Sequence, residues 1–237
     1  MKALIMAGGK GSRLRPLTNY IPKPLVKIID KPVMECILDL LKIHGITEVG
    51  VTLGYKGDKI KEFFGNGKQF GVNITYFEER EPLGTAGGVK NASAFINDKV
   101  LVISGDAYTD MNLTELIDFH NKKNALATMA LYKTEDARGF GLVETARNGK
   151  VLSFKEKPSV KCPGKVNTGV YVLEKKLIDG LPEGFCDFGK DVFPTLENLY
   201  GKEVKGFWSD IGTLQSYYLV NLMVAKRLEN VKTDIAA

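Results

Sequence analysis

Four cationic side chains and three glycines crowd into residues 8–23, as Gly8-Gly9-Lys10-Gly11-Ser12-Arg13-Leu14-Arg15 and then Pro22-Lys23-Pro24. A short apolar run, Ala3 to Ala7, leads into them and reads as a buried strand. Glycines placed there let backbone N–H groups approach an anion closely. Arg13 and Lys23 add fixed positive charge, with Lys23 restrained between two prolines. Such a loop cradles a triphosphate and points to chemistry at phosphorus. It is not a P-loop, because no glycine precedes Gly9-Lys10 or Gly11-Ser12 at the required distance. It is not the dinucleotide fingerprint either, because Leu14 stands where the third glycine belongs. Taken alone, the same glycines would also serve a tight structural turn. Lys10 and Arg15 read equally well as solvent-facing.

Carboxylates are the second reactive class. Asp106 follows the apolar run Val100–Ser104, at the end of a core strand where α/β proteins bind ligands. Asp210 lies in Trp208-Ser-Asp-Ile-Gly, just before a helix expected from Thr213. Both positions also suit caps or turns. Glu79 falls in the charged run Glu78-Glu79-Arg80-Glu81, which by itself reads as a solvated surface. Cys36, Cys162 and Cys186 have no metal-like spacing and are odd in number, as in a reduced, cytoplasmic protein. No nucleophile–histidine arrangement is visible, and His44 and His120 read as helix-end residues.

The elements that must position these groups alternate. Helical periodicity covers Val33–Ile43, Lys56–Phe64 and Leu113–Lys122, and strand-like runs cover Val49–Leu53, Asn73–Phe77, Val100–Ser104 and Ala125–Tyr132. His44-Gly45 stops the first helix. The expected fold is α/β: a Rossmann-like mixed, mostly parallel sheet with helices on both faces. After Lys133 short strands are expected at 140–145, 150–155 and 166–173. A helix near 187–200, a strand near 203–208 and a last helix from Thr213 to about Asn230 follow. No internal repeat or low-complexity linker occurs. A chain of 237 residues with 44% hydrophobic and 26% charged content is ordinary for a soluble globular protein. No run approaches the ~18 apolar residues of a membrane span. The net charge of +5 is spread along the chain without a dense basic tract, so neither nucleic acid nor membrane is an expected partner.

The ordered set Gly8-Gly9-x-Gly11-x-Arg13-Leu14-x-Pro16-Leu17-Thr18, Pro22-Lys23-Pro24-Leu25, Leu83-Gly84-Thr85-Ala86-Gly87, Gly105-Asp106, Gly141-Leu-Val-Glu144, Glu156-Lys157-Pro158, Asn167-Thr168-Gly169-Val-Tyr171 and Trp208-Ser-Asp-Ile-Gly-Thr213 covers nearly the whole chain. It resembles the signature of sugar-1-phosphate nucleotidylyltransferases, with a pattern nearest to mannose-1-phosphate guanylyltransferases. The resemblance implies a GT-A-like nucleotidyltransferase fold carrying a small β-rich sugar-binding sub-lobe. The whole chain, 1–237, is then expected to be a single domain. Its lobes would be 1–133 for the nucleotide and 134–237 for the sugar and the C-terminal helix. It lacks the hexapeptide repeats of the β-helix that many relatives carry.

The implied reaction joins a nucleoside triphosphate to a sugar 1-phosphate, giving nucleotide-sugar and pyrophosphate. Within it the resemblance gives Arg13, Lys23, Asp106 and Asp210 the catalytic roles, with Asp106 and Asp210 holding Mg²⁺. Ala7, Gly8, Gly9, Gly11, Ser12, Arg13, Glu79, Gly84 and Thr85 are expected at the nucleotide. Gly141, Glu156, Lys157, Asn167 and Gly169 are expected at the sugar, while Trp208 reads as core. A carboxylate at Glu79 accepts two hydrogen bonds at once, which matches the adjacent N1–H and N2–H of guanine better than the single N3–H of uracil or thymine. With the pattern nearest to mannose-1-phosphate guanylyltransferases, the resemblance makes GTP with mannose 1-phosphate the expected pair. UTP or dTTP with glucose 1-phosphate, or a heptose or amino-sugar phosphate, is the alternative, and a homo-oligomer is left open. A glycosyltransferase of related fold lacks support, because Asp106-Ala107-Tyr108 has no second aspartate. A catalytically silent nucleotide-binding subunit fits poorly with the retention of all four catalytic candidates.

Overall fold

The computed structural model describes residues 1–236, with side chains described through Glu229; Ala237, the end of the expected sugar-side lobe, lies outside the described residues. In chain order the elements begin with β1 (Lys2–Ala7), the short hairpin β2 (Lys27–Ile28) and β3 (Lys31–Pro32), and α1 (Val33–Ile43). Next come β4 (Glu48–Leu53), α2 (Gly57–Phe64), β5 (Asn73–Glu78), α3 (Gly84–Asn91), β6 (Lys99–Ser104), β7 (Ala107–Thr109), α4 (Leu113–Lys123) and β8 (Ala127–Thr134). The second half holds β9 (Gly141–Thr145), β10 (Val151–Glu156), β11 (Gly164–Glu174), α5 (Lys175–Asp179), β12 (Leu199–Glu203), β13 (Trp208–Asp210) and α6 (Leu214–Ala236).

The main sheet has nine strands, running β10-β9-β11-β6-β1-β4-β5, with β8 on the far side of β11 and β12 beyond it. β6, β1, β4 and β5 are mutually parallel, and β11 joins β6 antiparallel. Side chains alternate along the parallel strands between two cores. Ile5, Val51, Leu101 and Ile103 pack with Ile37, Leu41, Ile60 and Phe64 from α1 and α2. Leu4, Val100 and Val102 pack on the other face with Ala86, Val89 and Ile178 from α3 and α5. Burial on both faces explains the uninterrupted apolar strands. α6 closes a third, smaller core in which Val220 and Ile211 meet Leu14, Val26, Ile28 and Val33, beneath the cationic loop.

Register does the positioning. Met6 pairs with Ser104, Ala7 with Leu53, and Leu53 with Glu78, so four strands end level at one edge of the sheet. The loops that leave them are residues 8–15, 54–56, 79–83 and 105–106. Tyr55 N–H donates to the Gly8 carbonyl at 3.2 Å and Gly105 N–H to the Met6 carbonyl at 2.9 Å, which ties three of these loops together.

The expected helix near 187–200 is not formed. A π-turn spans Phe188–Val192, a 3-10 turn spans Phe193–Thr195, and β12 begins at Leu199. Pro194 lacks the N–H that a continuing helix needs, and the apolar side chains turn instead towards an aromatic cluster. Phe193 stacks on Phe188 and meets Tyr171 edge-on. The strand expected near 203–208 is not formed either: residues 204–207 are a connection between β12, which ends at Glu203, and β13, which begins at Trp208.

Candidate active site

The level strand ends form one wall of a cleft of about 770 Å³, lined by residues 6–10, 23–24, 54–55, 79–82, 84–85 and 104–106 and by Phe185 and Asp187. Of the expected nucleotide contacts, Ala7, Gly8, Gly9, Glu79, Gly84 and Thr85 border it directly. Lys23 and Asp106 meet inside it. Lys23 Nζ lies 2.7 Å from Asp106 Oδ2, and Ser104 Oγ donates to Asp106 Oδ1 at 2.6 Å. Burial acts to raise the Asp106 pKa, but the Lys23 ammonium, its hydrogen bond and that of Ser104 outweigh it and hold the carboxyl below its ordinary value.

Asp210 reaches the same place from the other end of the chain. β13 pairs with β7 so that Asp210 faces Ala107, and Ile211 N–H donates to the Asp106 carbonyl at 3.0 Å. Burial and then the like charge of Asp106 raise the Asp210 pKa, with Lys23 and Arg13 offsetting part of the effect. Arg13 is exposed and follows Gly11, whose φ of 62° lets the loop turn back over α6. Its guanidinium lies beside Gly212, as does the Asp210 carboxylate. Neither Arg13, Gly11 nor Ser12 borders the cleft itself; they stand at its rim with Asp210.

Glu79 departs from the surface reading of its neighbours. Glu78, Arg80 and Glu81 are exposed, whereas Glu79 is half-buried and points into the cleft. Its carboxylate accepts from Leu83 N–H at 3.2 Å and lies across Gly8 and Gly88, where an added Cβ would come within 2.9 and 2.8 Å of Oε1. Burial raises its pKa and the Leu83 amide partly opposes this. Gly84 has φ 74°, and a Cβ there would stand 2.5 Å from the Cys186 carbonyl, so its glycine is required by the docking of α3 on residues 184–186. Ala86 N–H and Gly87 N–H both donate to that carbonyl. Thr85 Oγ1 accepts from Phe188 N–H at 2.8 Å and donates to Asp187 Oδ2 at 3.0 Å. Asp187 and Ser104 were absent from the sequence reading. The first carries only the signal of an N-cap, since its side chain accepts from Gly189 and Lys190 N–H.

The expected sugar-side residues lie outside the cleft lining and gather on β9, β10 and β11. Gly141 and Gly189 flank the Glu156 carboxylate, whose Oε1 pairs with Lys157 Nζ at 3.0 Å. The pairing of β11 with β8 shifts between Asn167 and Tyr171. In that bulge Gly169 takes φ 77°, Asn167 Oδ1 accepts from Gly169 N–H at 3.0 Å, and Asn167 Nδ2 donates to the Tyr171 hydroxyl at 2.8 Å. Trp208 is buried against Tyr132 and Phe140, and its Nε1–H donates to the Thr168 carbonyl at 3.0 Å, in agreement with a core role. His44 caps α1, and His120, in the last turn of α4, bonds Thr128 and Glu174 away from the cleft. Lys10 borders the cleft, and Arg15 is exposed.

Residues 2–227 match the family described as Nucleotidyl transferase. The chain belongs to the nucleotidyl transferase family. It is 38% identical over 255 aligned residues to a UTP–glucose-1-phosphate uridylyltransferase of Synechocystis, covering 98% of this chain and 66% of that protein. It is 35% identical over 222 residues to a mannose-1-phosphate guanylyltransferase of Mycobacterium tuberculosis, covering 91% and 62%. The chain thus spans just under two thirds of the length of both relatives. In three dimensions it is similar to HddC from Yersinia pseudotuberculosis, crystallised with GMP-PN, with TM-score 0.84, 28% identity, and coverage of 94% of this chain and 99% of that one. These likenesses extend to the α/β fold with its mixed central sheet.

Among the described residues of this nucleotidyl transferase, no group of three or more His, Cys, Asp or Glu side chains stands ready to hold a metal ion. Asp106 and Asp210 supply two carboxylates close enough to repel one another. Any cation held there would complete its shell with ligand oxygens and water, a donor set suited to Mg²⁺. No described helix is long and apolar enough to cross a membrane.

Proposed function

We propose that this protein transfers a nucleotidyl group from GTP to mannose 1-phosphate, releasing pyrophosphate. The observation that carries the reading is the meeting of Lys23, Asp106 and Ser104 beside the glycine loop, in the cleft at the carboxyl ends of β6 and β1. The N–H groups of residues 8–12 and the Arg13 guanidinium bind the leaving phosphates. Lys23 orients the α-phosphate and offsets charge that builds up at phosphorus as the bond to pyrophosphate breaks. The attacking sugar phosphate is already an anion near neutral pH, so the chain needs no general base. Asp106 and Asp210 are the residues that would hold Mg²⁺, which when bound adds positive charge opposite the triphosphate.

Glu79 reads the base. Its carboxylate sits in the glycine-flanked slot next to the phosphate loop and offers oxygens to the two adjacent donors of guanine. Glu156, Lys157 and Asn167, with Gly141 and Gly169 beside them, form the sugar side. Glu156 and Asn167 offer acceptors and donors to hydroxyls, and Lys157 meets the sugar phosphate. The two lobes, 1–133 and 134–237, then act as one catalytic domain. The similarity to a uridylyltransferase over nearly the whole chain supports a second reading with UTP and glucose 1-phosphate on the same machinery. Label tracing tests the reaction. Label in the α-phosphate of GTP is expected in the nucleotide-sugar and label in the γ-phosphate in pyrophosphate. Release of γ-label as orthophosphate, with no labelled sugar product, would refute the transfer.

A further inference from the structure

Asp106 borders the cleft with both of its carboxylate oxygens already engaged. Oδ2 is held by Lys23 Nζ at 2.7 Å and Oδ1 by Ser104 Oγ at 2.6 Å. The backbone beneath the carboxylate is anchored: the Asp106 carbonyl accepts from Ile211 N–H at 3.0 Å, and β7, which follows it, is laddered to β13. Lys23 differs. Its backbone is fixed in a short 3-10 turn between Pro22 and Pro24, but its four-carbon stem runs beside Gly11, with Cε 3.4 Å from where a Gly11 side chain would begin. The stem thus lies against the glycine loop while its ammonium rests on Asp106.

We propose that Lys23 is a plug in the cation site: its ammonium occupies Asp106 until phosphate on the glycine loop draws it off, so that a divalent cation enters only after the nucleotide. This rests on the reading of Asp106 and Asp210 as the cation-holding pair. A dication on Asp106 Oδ2 would share that oxygen with the ammonium, and two positive charges that close repel one another. Phosphate oxygens on the loop offer Lys23 an equivalent anionic partner, so its release costs little once nucleotide is bound. Ser104 stays on Oδ1 throughout and keeps the carboxylate aimed.

The test is Mn²⁺ binding to nucleotide-free protein, followed by the electron paramagnetic resonance signal of the free ion. Lys23→Met keeps the stem and removes the charge, and Lys23→Gln serves as its second form. Both are expected to bind Mn²⁺ at least about tenfold more tightly than the wild type. Arg13→Met removes an equal charge near Asp210 without unblocking Asp106, and is expected to shift affinity by less than about threefold. Asp106→Asn is expected to abolish binding in every background. Equal tightening by the Lys23 and Arg13 variants would overturn the plug in favour of a general field. Unchanged affinity in both Lys23 variants, with binding still lost in Asp106→Asn, would overturn the plug and leave the cation pair standing. Binding that ignores Asp106→Asn would overturn both.

Discussion

Glu79→Gln changes one oxygen for an NH₂ group in a slot that the structure defines closely. Oε2 of Glu79 already accepts from Leu83 N–H at 3.2 Å, and Oε1 lies against Gly8 and Gly88. Guanine would place N1–H on one oxygen and N2–H on the other. Glutamine keeps one acceptor and turns its own donor towards the second guanine donor. One charge-assisted hydrogen bond is lost, worth about 1.5–3 kcal/mol, and the unpaired donor adds roughly 1 kcal/mol. The sum of about 2.5–4 kcal/mol corresponds to a fall of roughly 70- to 1000-fold in kcat/KM for GTP. Uracil presents a single N3–H, which the glutamine carbonyl accepts, so kcat/KM for UTP should change by less than about fivefold. The assay is initial-rate pyrophosphate release with mannose 1-phosphate at varied GTP and at varied UTP. Parallel loss for the two nucleotides would refute the assignment of Glu79 to the base and leave it a structural carboxylate.

Three further outcomes follow from the same geometry. Burial raises the Glu79 pKa, so on acidification this carboxyl protonates before exposed glutamates do and loses an acceptor. The ratio of kcat/KM for GTP to that for UTP should therefore decline on the acid side in the wild type and run flat in Glu79→Gln, as read from paired pH profiles. Arg13→Ala should lower kcat/KM by about 10²–10³-fold while leaving the melting temperature unchanged, since the side chain is exposed; a large thermal shift would mark Arg13 as structural. Trp208→Phe strands the buried Thr168 carbonyl that Nε1 now satisfies. That costs about 1–3 kcal/mol, or a melting point lower by roughly 3–10 °C for a chain of this size, and calorimetry showing no shift would contradict the core role.

The parallel strands were readable because burial on both faces leaves unbroken apolar runs, and Val100–Ser104 or Val49–Leu53 have few other interpretations. The helix α3 was not, since Gly84, Gly87 and Gly88 disfavour an isolated helix. It forms because two of its amides bond the Cys186 carbonyl and its glycines let residues 184–186 lie against it. The converse error arose at 187–200, where Phe188, Val192, Phe193 and Leu196 are spaced like a helical face while Pro194 breaks the backbone. The cationic loop and Asp106 could be located from strand ends alone. The convergence of Asp210 on Asp106 across about a hundred residues depends on the β7–β13 ladder, which three-residue strands do not announce. Glu79 illustrates the limit from the other side. Nothing within Glu78-Glu79-Arg80-Glu81 distinguishes it, and only the register of β5 on β4 turns it inward.

Pyrophosphate release in the presence of Mg²⁺, measured over GTP, UTP, dTTP, ATP and CTP against the 1-phosphates of mannose, glucose, N-acetylglucosamine and heptose, tests the proposed reaction most directly. The expected result is turnover with a guanine nucleotide and mannose 1-phosphate, with the highest kcat/KM of the matrix, and its loss in Asp106→Asn and Asp210→Asn. Folded wild-type protein that releases no pyrophosphate with any pair, or releases it equally well in both aspartate variants, would contradict it.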